Sequence, residues 1–227
     1  MGTLLLPYDS YSLLSASSPQ GQAVPVKRQG SESLAPSPDD VRATRKEEDM
    51  ALVERAREGD RKAFRALVDR YQESVTLTVV SMLGRSGEVD DVVQEAFIRC
   101  YQTLAKFRGE ASFATYIKKI AINKSLDILR RRKRFFGRLL SRDDPGYVVN
   151  EPAIESVTVE DQERNRLVHQ AIGTLPDKHR AVVVLRMIEG YSTEETAQML
   201  DLPYGTVLSR LSRAQKKLKD ALAPLMR

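Results

Sequence analysis

Thr206, Arg210, Arg213 and Lys217 recur at three- and four-residue spacing and share one helical stripe that carries no apolar residue. Guanidinium and ammonium groups presented in this way make charge-assisted hydrogen bonds to phosphate oxygens or to guanine edges. Val207, Leu211, Ala214, Leu218 and Leu222 repeat with the same period on another stripe, the pattern of a buried back. Just upstream, Ser192 and Glu195 have the spacing of a capping box that opens a shorter helix. Ala197 is small enough for close helix packing, and Leu200 is the next apolar residue on that face. Asp201-Leu202-Pro203 breaks the helix, and Pro203 suits the first turn of the next one. The stretch 193–212 therefore predicts a helix-turn-helix whose second helix enters a DNA major groove. An amphipathic hairpin with a solvated charged face is the plainer alternative. The box, the turn and the segregated basic stripe together favour DNA.

A second basic patch lies earlier. Lys118, Lys119, Lys124 and the run Arg130, Arg131, Arg132, Lys133 and Arg134 bring eight like charges onto one predicted helix. Phe107, Phe113 and Tyr116 lie at or just before its start. Cations beside aromatic rings suit single-stranded DNA, where stacking contributes about 1–3 kcal/mol per base. Core packing is the competing reading of the rings, and it is preferred for Phe113. So many like charges are expected to repel one another unless a polyanion neutralises them. On the preceding helix Asp91, Gln94, Glu95 and Ile98 share the face opposite the apolar stripe, a surface able to dock a basic partner helix. A merely soluble surface explains the same pattern equally well.

A catalytic reading finds little. The two histidines, His169 and His179, fall in unrelated helices, and no Cys/His spacing matches a zinc site. Paired acids such as Asp90-Asp91 and Glu194-Glu195 read as caps or solvated faces. No enzyme activity, cofactor or metal is expected. Net charge is +5, with 30% charged residues, 6% aromatics and no Trp, a composition suited to helical bundles. The lone Cys100 sits on an apolar stripe and reads as a small buried hydrophobe in a chain of the reducing cytoplasm. No apolar run reaches the roughly 20 residues that span a bilayer, so no membrane insertion is expected.

These features need helices to hold them. Residues 1–46 contain five of the ten prolines and no sustained periodicity, and read as a disordered tail. Met50 is a candidate for an internal translation start. Residues 47–134 carry three or four amphipathic helices: one capped by Gly59 or Asp60, one from about Glu88 to Lys106, and one that Ser112 caps. Residues 135–159 lose periodicity, gain acids, Pro and Gly, and read as a flexible linker. Residues 160–227 resume with helices over 160–175 and 177–189, followed by the helix-turn-helix. The predicted architecture is all-α, two small helical bundles joined by a linker.

In this order the segments resemble the bacterial RNA polymerase sigma factors of the extracytoplasmic-function (ECF) group. The resemblance rests on Gly59 to Tyr71, on Asp90-Asp-Val-Val-Gln-Glu-Ala-Phe97, on Phe107 to Asp127 and on Leu175 to Leu218, and covers about 50–225. It implies that residues 47–134 form sigma domain 2 and residues 160–227 sigma domain 4, without the third domain of housekeeping sigma factors. It assigns Asp91, Gln94, Glu95 and Ile98 to the clamp helices of the polymerase largest subunit. Phe107, Arg108, Ser112, Tyr116, Lys118, Lys119, Asn123, Arg130 and Arg131 would take flipped bases and backbone of the −10 element. Ser192, Thr193, Tyr204, Thr206, Ser209, Arg210, Arg213 and Lys217 would hold the −35 duplex, with Arg210 and Arg213 as base or phosphate contacts. Tyr116 stands where the family often has Trp, and Leu208 where a basic residue is usual. The implied partners are core RNA polymerase, promoter DNA and an anti-sigma factor. A helix-turn-helix regulator that binds DNA without polymerase accounts equally well for residues 177–222 but leaves the first bundle unexplained.

Overall fold

The computed structural model describes the backbone of residues 38–139 and 159–223 and the side chains of 44–135 and 166–223, and within them every regular element is helical. Eight α-helices follow in order: α1 Pro38–Arg57, α2 Arg61–Leu83, α3 Val89–Thr103, α4 Phe113–Leu139, α5 Val159–Gly173, α6 Asp177–Val183, α7 Thr193–Leu200 and α8 Tyr204–Leu222. A 3-10 turn, Leu104–Lys106, closes α3, and a π turn, Val184–Ile188, closes α6.

The start of α2 shows how local sequence sets an element. Gly59 takes φ 96°, and the Asp60 carboxylate accepts from the backbone N–H groups of Lys62 (2.9 Å) and Ala63 (3.2 Å). Two of the four orphan donors of the first turn are thereby satisfied. Beyond the cap, Leu67, Val75 and Val79 are fully buried and meet Phe97, Phe113 and Ile117 from α3 and α4. Burying side chains of this size contributes about 1.5–3 kcal/mol each. Cys100 lies in the same core, and burial pushes its thiol up to about 12.

Three features depart from the sequence reading. First, α1 begins at Pro38, nine residues ahead of the expected helical onset, and Val53 and Ala56 on its inner face are core residues. Asp49, also on α1, is 2% exposed and accepts from Arg70 (2.7 Å) and from the Tyr71 hydroxyl. A chain starting at Met50 would lack that carboxylate. Second, α6 does not run regularly to residue 189. Its last turn widens into i→i+5 bonding, with Glu189 N donating to Val184 O at 2.9 Å. The inserted residue rotates the chain beyond it relative to a regular helix. Third, the two bundles share a core: Ala181, Val184, Leu185 and Met199 join the cluster built by α1 to α4. Most of the expected linker, and the tail up to residue 37, lie outside the described residues. Phe135 already belongs to α4, and Val159 to α5.

The Asp49 network generates a test. Asp49→Ala leaves the buried Tyr71 hydroxyl without its acceptor and should cost about 2–3 kcal/mol in urea unfolding. Asp49→Asn keeps an acceptor oxygen and should cost clearly less. Equal stability of all three chains would rule out the network as a stabilising contact.

Candidate functional site

The loop between α3 and α4 is held from behind by α1. Arg57 donates to the carbonyl oxygens of Leu104 (3.2 Å) and Phe107, pinning the loop backbone. Gly109 turns the chain at φ 74°, and a Cβ there would stand 3.0 Å from the Met50 Cε, so a larger residue meets both strain and a neighbour. Ser112 Oγ accepts from Thr115 N at 3.1 Å and so satisfies one donor at the start of α4.

The expected −10 residues on this loop and helix are not equivalent. Arg108 extends into solvent, with its side chain 83% exposed, and Asn123, Arg130 and Arg131 are also exposed. Phe107 is a correction: its ring is 5% exposed and packs against Tyr116 (4.8 Å between centroids) and edge-on to Phe113 (6.2 Å). It is a core residue in this conformation, because the loop folds back under Arg57. Tyr116 is half-buried, and its hydroxyl is fixed by Thr103 Oγ1 (2.6 Å) and by the Thr103 carbonyl (3.1 Å).

The expected mutual repulsion along α4 is a second correction, since most of its cations have carboxylate partners. Lys124 meets Glu95 at 2.8 Å, Arg130 meets Asp127 at 2.8 Å and Lys133 meets Asp177 at 2.9 Å. Arg132 binds Glu88 and donates to Ser86 Oγ at 2.9 Å. Lys118 binds Glu189, and Lys119 binds Asp201 at 3.0 Å. Six of the eight cations are thus paired with acids of the chain itself, without a polyanion.

On α3, Asp91, Gln94, Glu95 and Ile98 all face solvent, with Ile98 50% exposed. The hydrogen bond from Lys124, and then its charge, hold the Glu95 carboxyl below the usual range. An open groove of about 880 Å³ between α2 and α3 continues this face with Phe64, Val68, Val93, Phe97, Ile98 and Tyr101. Asp90 and Asp91 also sit in the first turn of α3, where they complement the helix dipole.

The helix-turn-helix is built by its caps. Ser192 Oγ accepts from Glu195 N (3.1 Å) while the Glu195 carboxylate accepts from Ser192 N (2.7 Å). Asp201 ends α7 in the left-handed region at φ 52°. Pro203 stands at the N-cap of α8, one position before the first turn. The buried face of α7 is Thr193, Thr196 and Met199, and Ala197 is only half-buried. Thr193, expected to face DNA, is 8% exposed and packs inward. On α8, Val207, Ala214 and Leu218 are buried, whereas Tyr204, Ser209, Arg213 and Lys217 are exposed and Thr206 and Arg210 half-exposed. The basic stripe acts on its surroundings. His179 is disposed to stay neutral, by burial first and then by the charges of Lys217, Arg210 and Arg213. Among the described residues no cluster of His, Cys, Asp and Glu is arranged for a metal, and no helix is long and apolar enough to cross a membrane.

The two bundles coincide with two known sequence regions: Sigma-70 region 2 matches residues 67–135, and Sigma-70 region 4 matches residues 165–218. The chain is 37% identical to the ECF RNA polymerase sigma-E factor of Haemophilus influenzae over 184 residues, 78% of this chain and 97% of that one. It is 38% identical to the ECF RNA polymerase sigma-E factor of Escherichia coli over 188 residues, 79% of this chain and 96% of the relative. Among solved structures, CnrH in complex with the cytosolic domain of CnrY superposes with a TM-score of 0.57 at 28% identity, covering 78% of this chain and 98% of that one. The sigma factor RpoE of Bartonella quintana, solved with the anti-sigma factor NepR, has a TM-score of 0.58 at 21% identity over 71% of this chain and 98% of its own, and supports the fold. With identity well above 30% over nearly the whole of both relatives and both sigma regions in place, the chain belongs to the ECF group of RNA polymerase sigma factors.

Proposed function

We propose that this alternative sigma factor directs transcription initiation by docking on core RNA polymerase through α3 and gripping promoter DNA with α4 and α8. The observation that carries the reading is that one chain presents an exposed acidic and aliphatic face on α3 and an exposed basic face on α8. Asp91, Gln94, Glu95 and Ile98 take a basic clamp helix of the largest subunit, and the neighbouring apolar groove extends that contact. Arg108, Ser112, Tyr116, Lys118, Lys119, Asn123, Arg130 and Arg131 take the −10 strand. Phe107 contributes by supporting Tyr116 from beneath. Tyr204, Thr206, Ser209, Arg210, Arg213 and Lys217 hold the −35 duplex, while the Ser192 cap fixes the angle at which α8 arrives. Tethering both grips to polymerase raises their effective concentration, so neither bundle has to bind DNA tightly alone. An anti-sigma factor is the proposed regulator, as the solved relatives were captured with such partners or with a cytosolic domain. The chain acts as a specificity subunit in the cytoplasm and contributes no catalytic group of its own.

Run-off transcription with sigma-free core polymerase is the direct test, and promoter-specific transcripts are expected. An operator footprint without polymerase, together with no transcripts, would instead identify a self-sufficient DNA-binding regulator. Charge reversal on α3, Asp91→Arg with Glu95→Arg, should weaken core binding at least about tenfold, the scale on which like charges at an interface act. The helical circular dichroism should persist, because the Glu95–Lys124 pair lost with it is exposed and contributes at most about 1 kcal/mol. Unchanged core affinity would remove α3 from the docking surface. Arg210→Ala and Arg213→Ala distinguish base from phosphate contacts. A base-reading arginine should lose about 1–3 kcal/mol at the cognate −35 element and relax its preference, whereas a phosphate contact weakens all sequences alike.

A further inference from the structure

The loop assigned to the −10 bases is fixed from α1, a helix to which no DNA contact is assigned. Arg57, in the last turn of α1, points its guanidinium in three directions at once. Nε donates to the Leu104 carbonyl (3.2 Å), Nη2 donates to the Phe107 carbonyl, and Nη1 meets the Glu54 carboxylate at 2.9 Å. Leu104 O also accepts from Phe107 N at 3.1 Å, which closes the 3-10 turn. The Arg57 cation thus stands at the C-terminal end of α3, where carbonyl groups point outward and the helix dipole favours positive charge. Met50, two turns earlier on α1, reaches the same loop at its turn, where a Cβ on Gly109 would stand 3.0 Å from its Cε. From within the bundle, the buried Phe107 ring packs against Phe113 and Tyr116. On the outer side, Arg108 and Glu110 are 83% and 81% exposed and 3.9 Å apart, a pair too open to fix the backbone. Arg108 therefore projects from a backbone that α1 anchors one residue earlier.

We propose that Arg57 is a positioning residue for −10 recognition: it sets the place from which residues 108–112 meet the bases, so that α1 takes part in promoter choice without touching DNA. The proposal rests on the assignment of this loop to the −10 element. Capture of unstacked bases depends on a surface formed before they arrive, because ordering a loop at that moment subtracts from affinity. The three bonds use the planar fork of a guanidinium, which an ammonium on a flexible stem does not reproduce. Both carbonyls are only partly buried, so water can replace a lost donor there and folding loses little. Water does not hold the backbone in one place. Loss of Arg57 therefore blurs base choice more than it loosens the bundle.

The test uses the full chain on core polymerase and a promoter that the parent chain transcribes, randomised at its −10 element, with the transcripts sequenced. Arg57→Ala should bind core with parental affinity and discriminate among −10 bases about tenfold less sharply, the scale of one hydrogen bond to a charged group. Arg57→Lys should recover part of that discrimination, since it returns the cation without the fork. All chains are compared at equal helical circular dichroism. Asp49→Ala serves as the stability control, because Asp49 lies on the same helix and bonds Arg70 and Tyr71 of α2 instead of the loop carbonyls. It should keep the parental −10 preference. Equal loss of discrimination in Asp49→Ala and Arg57→Ala would reduce Arg57 to a folding contact and overturn the proposal. Parental discrimination in Arg57→Ala while Arg108→Ala alters it also overturns the proposal, and leaves the −10 assignment of the loop standing. Parental discrimination in both Arg57→Ala and Arg108→Ala removes the loop itself from −10 recognition, and the role of Arg57 with it.

Discussion

A carboxylate that is only 10% exposed must be answered, and Glu189 is answered from two different helices of the other bundle. Leaving such a charge unpaired in a poorly solvated seam costs several kcal/mol. The seam therefore has one acceptable register, in which Thr78 and Lys118 both reach the same side chain. The shared core follows from that register. Val184 and Leu185 sit on the turn immediately before Glu189, so fixing the carboxylate also fixes which apolar groups meet α2 and α4. Most of what distinguishes this structure from two bundles on a string traces back to that contact.

Within each bundle, the sequence pattern carried far. The buried stripes of α2, α3 and α8, the Asp60 and Ser192 caps and the break at Asp201 to Pro203 are local features, governed by period and capping chemistry. Three things lay beyond that reach. The early start of α1 falls directly on the last prolines of the tail, Pro36 and Pro38, after which no Ser recurs until Ser74. Its value comes from Asp49 and Arg57, whose partners lie 21 to 50 residues away. The π turn has no sequence signature at all. The placement of Phe107 depends on a long-range clamp, so an aromatic residue that looked available for stacking is part of the core.

The charge pattern teaches a related point. Eight cations on one helix suggested a polyanion, and the suggestion of a DNA partner survives in the family to which the chain belongs. The step in between fails for most of them, because acids such as Glu88, Glu95 and Asp177 pair with them within the chain. Those acids are scattered along the sequence and gather only in three dimensions.

Arg180 adds a consequence of its own. Its guanidinium donates to three carbonyl groups: Met82 across the seam, and Gly173 and Leu175 in its own bundle. One of these acceptors lies across the seam and two lie within the second bundle, so the same guanidinium also braces that bundle internally. Glu189 has no such reserve among its side-chain contacts, since both of its donors lie across the seam. The two residues thus divide integrity from association. Substitution at Arg180 therefore strikes one bond across the seam and two within the second bundle, whereas substitution at Glu189 strikes bonds across the seam alone.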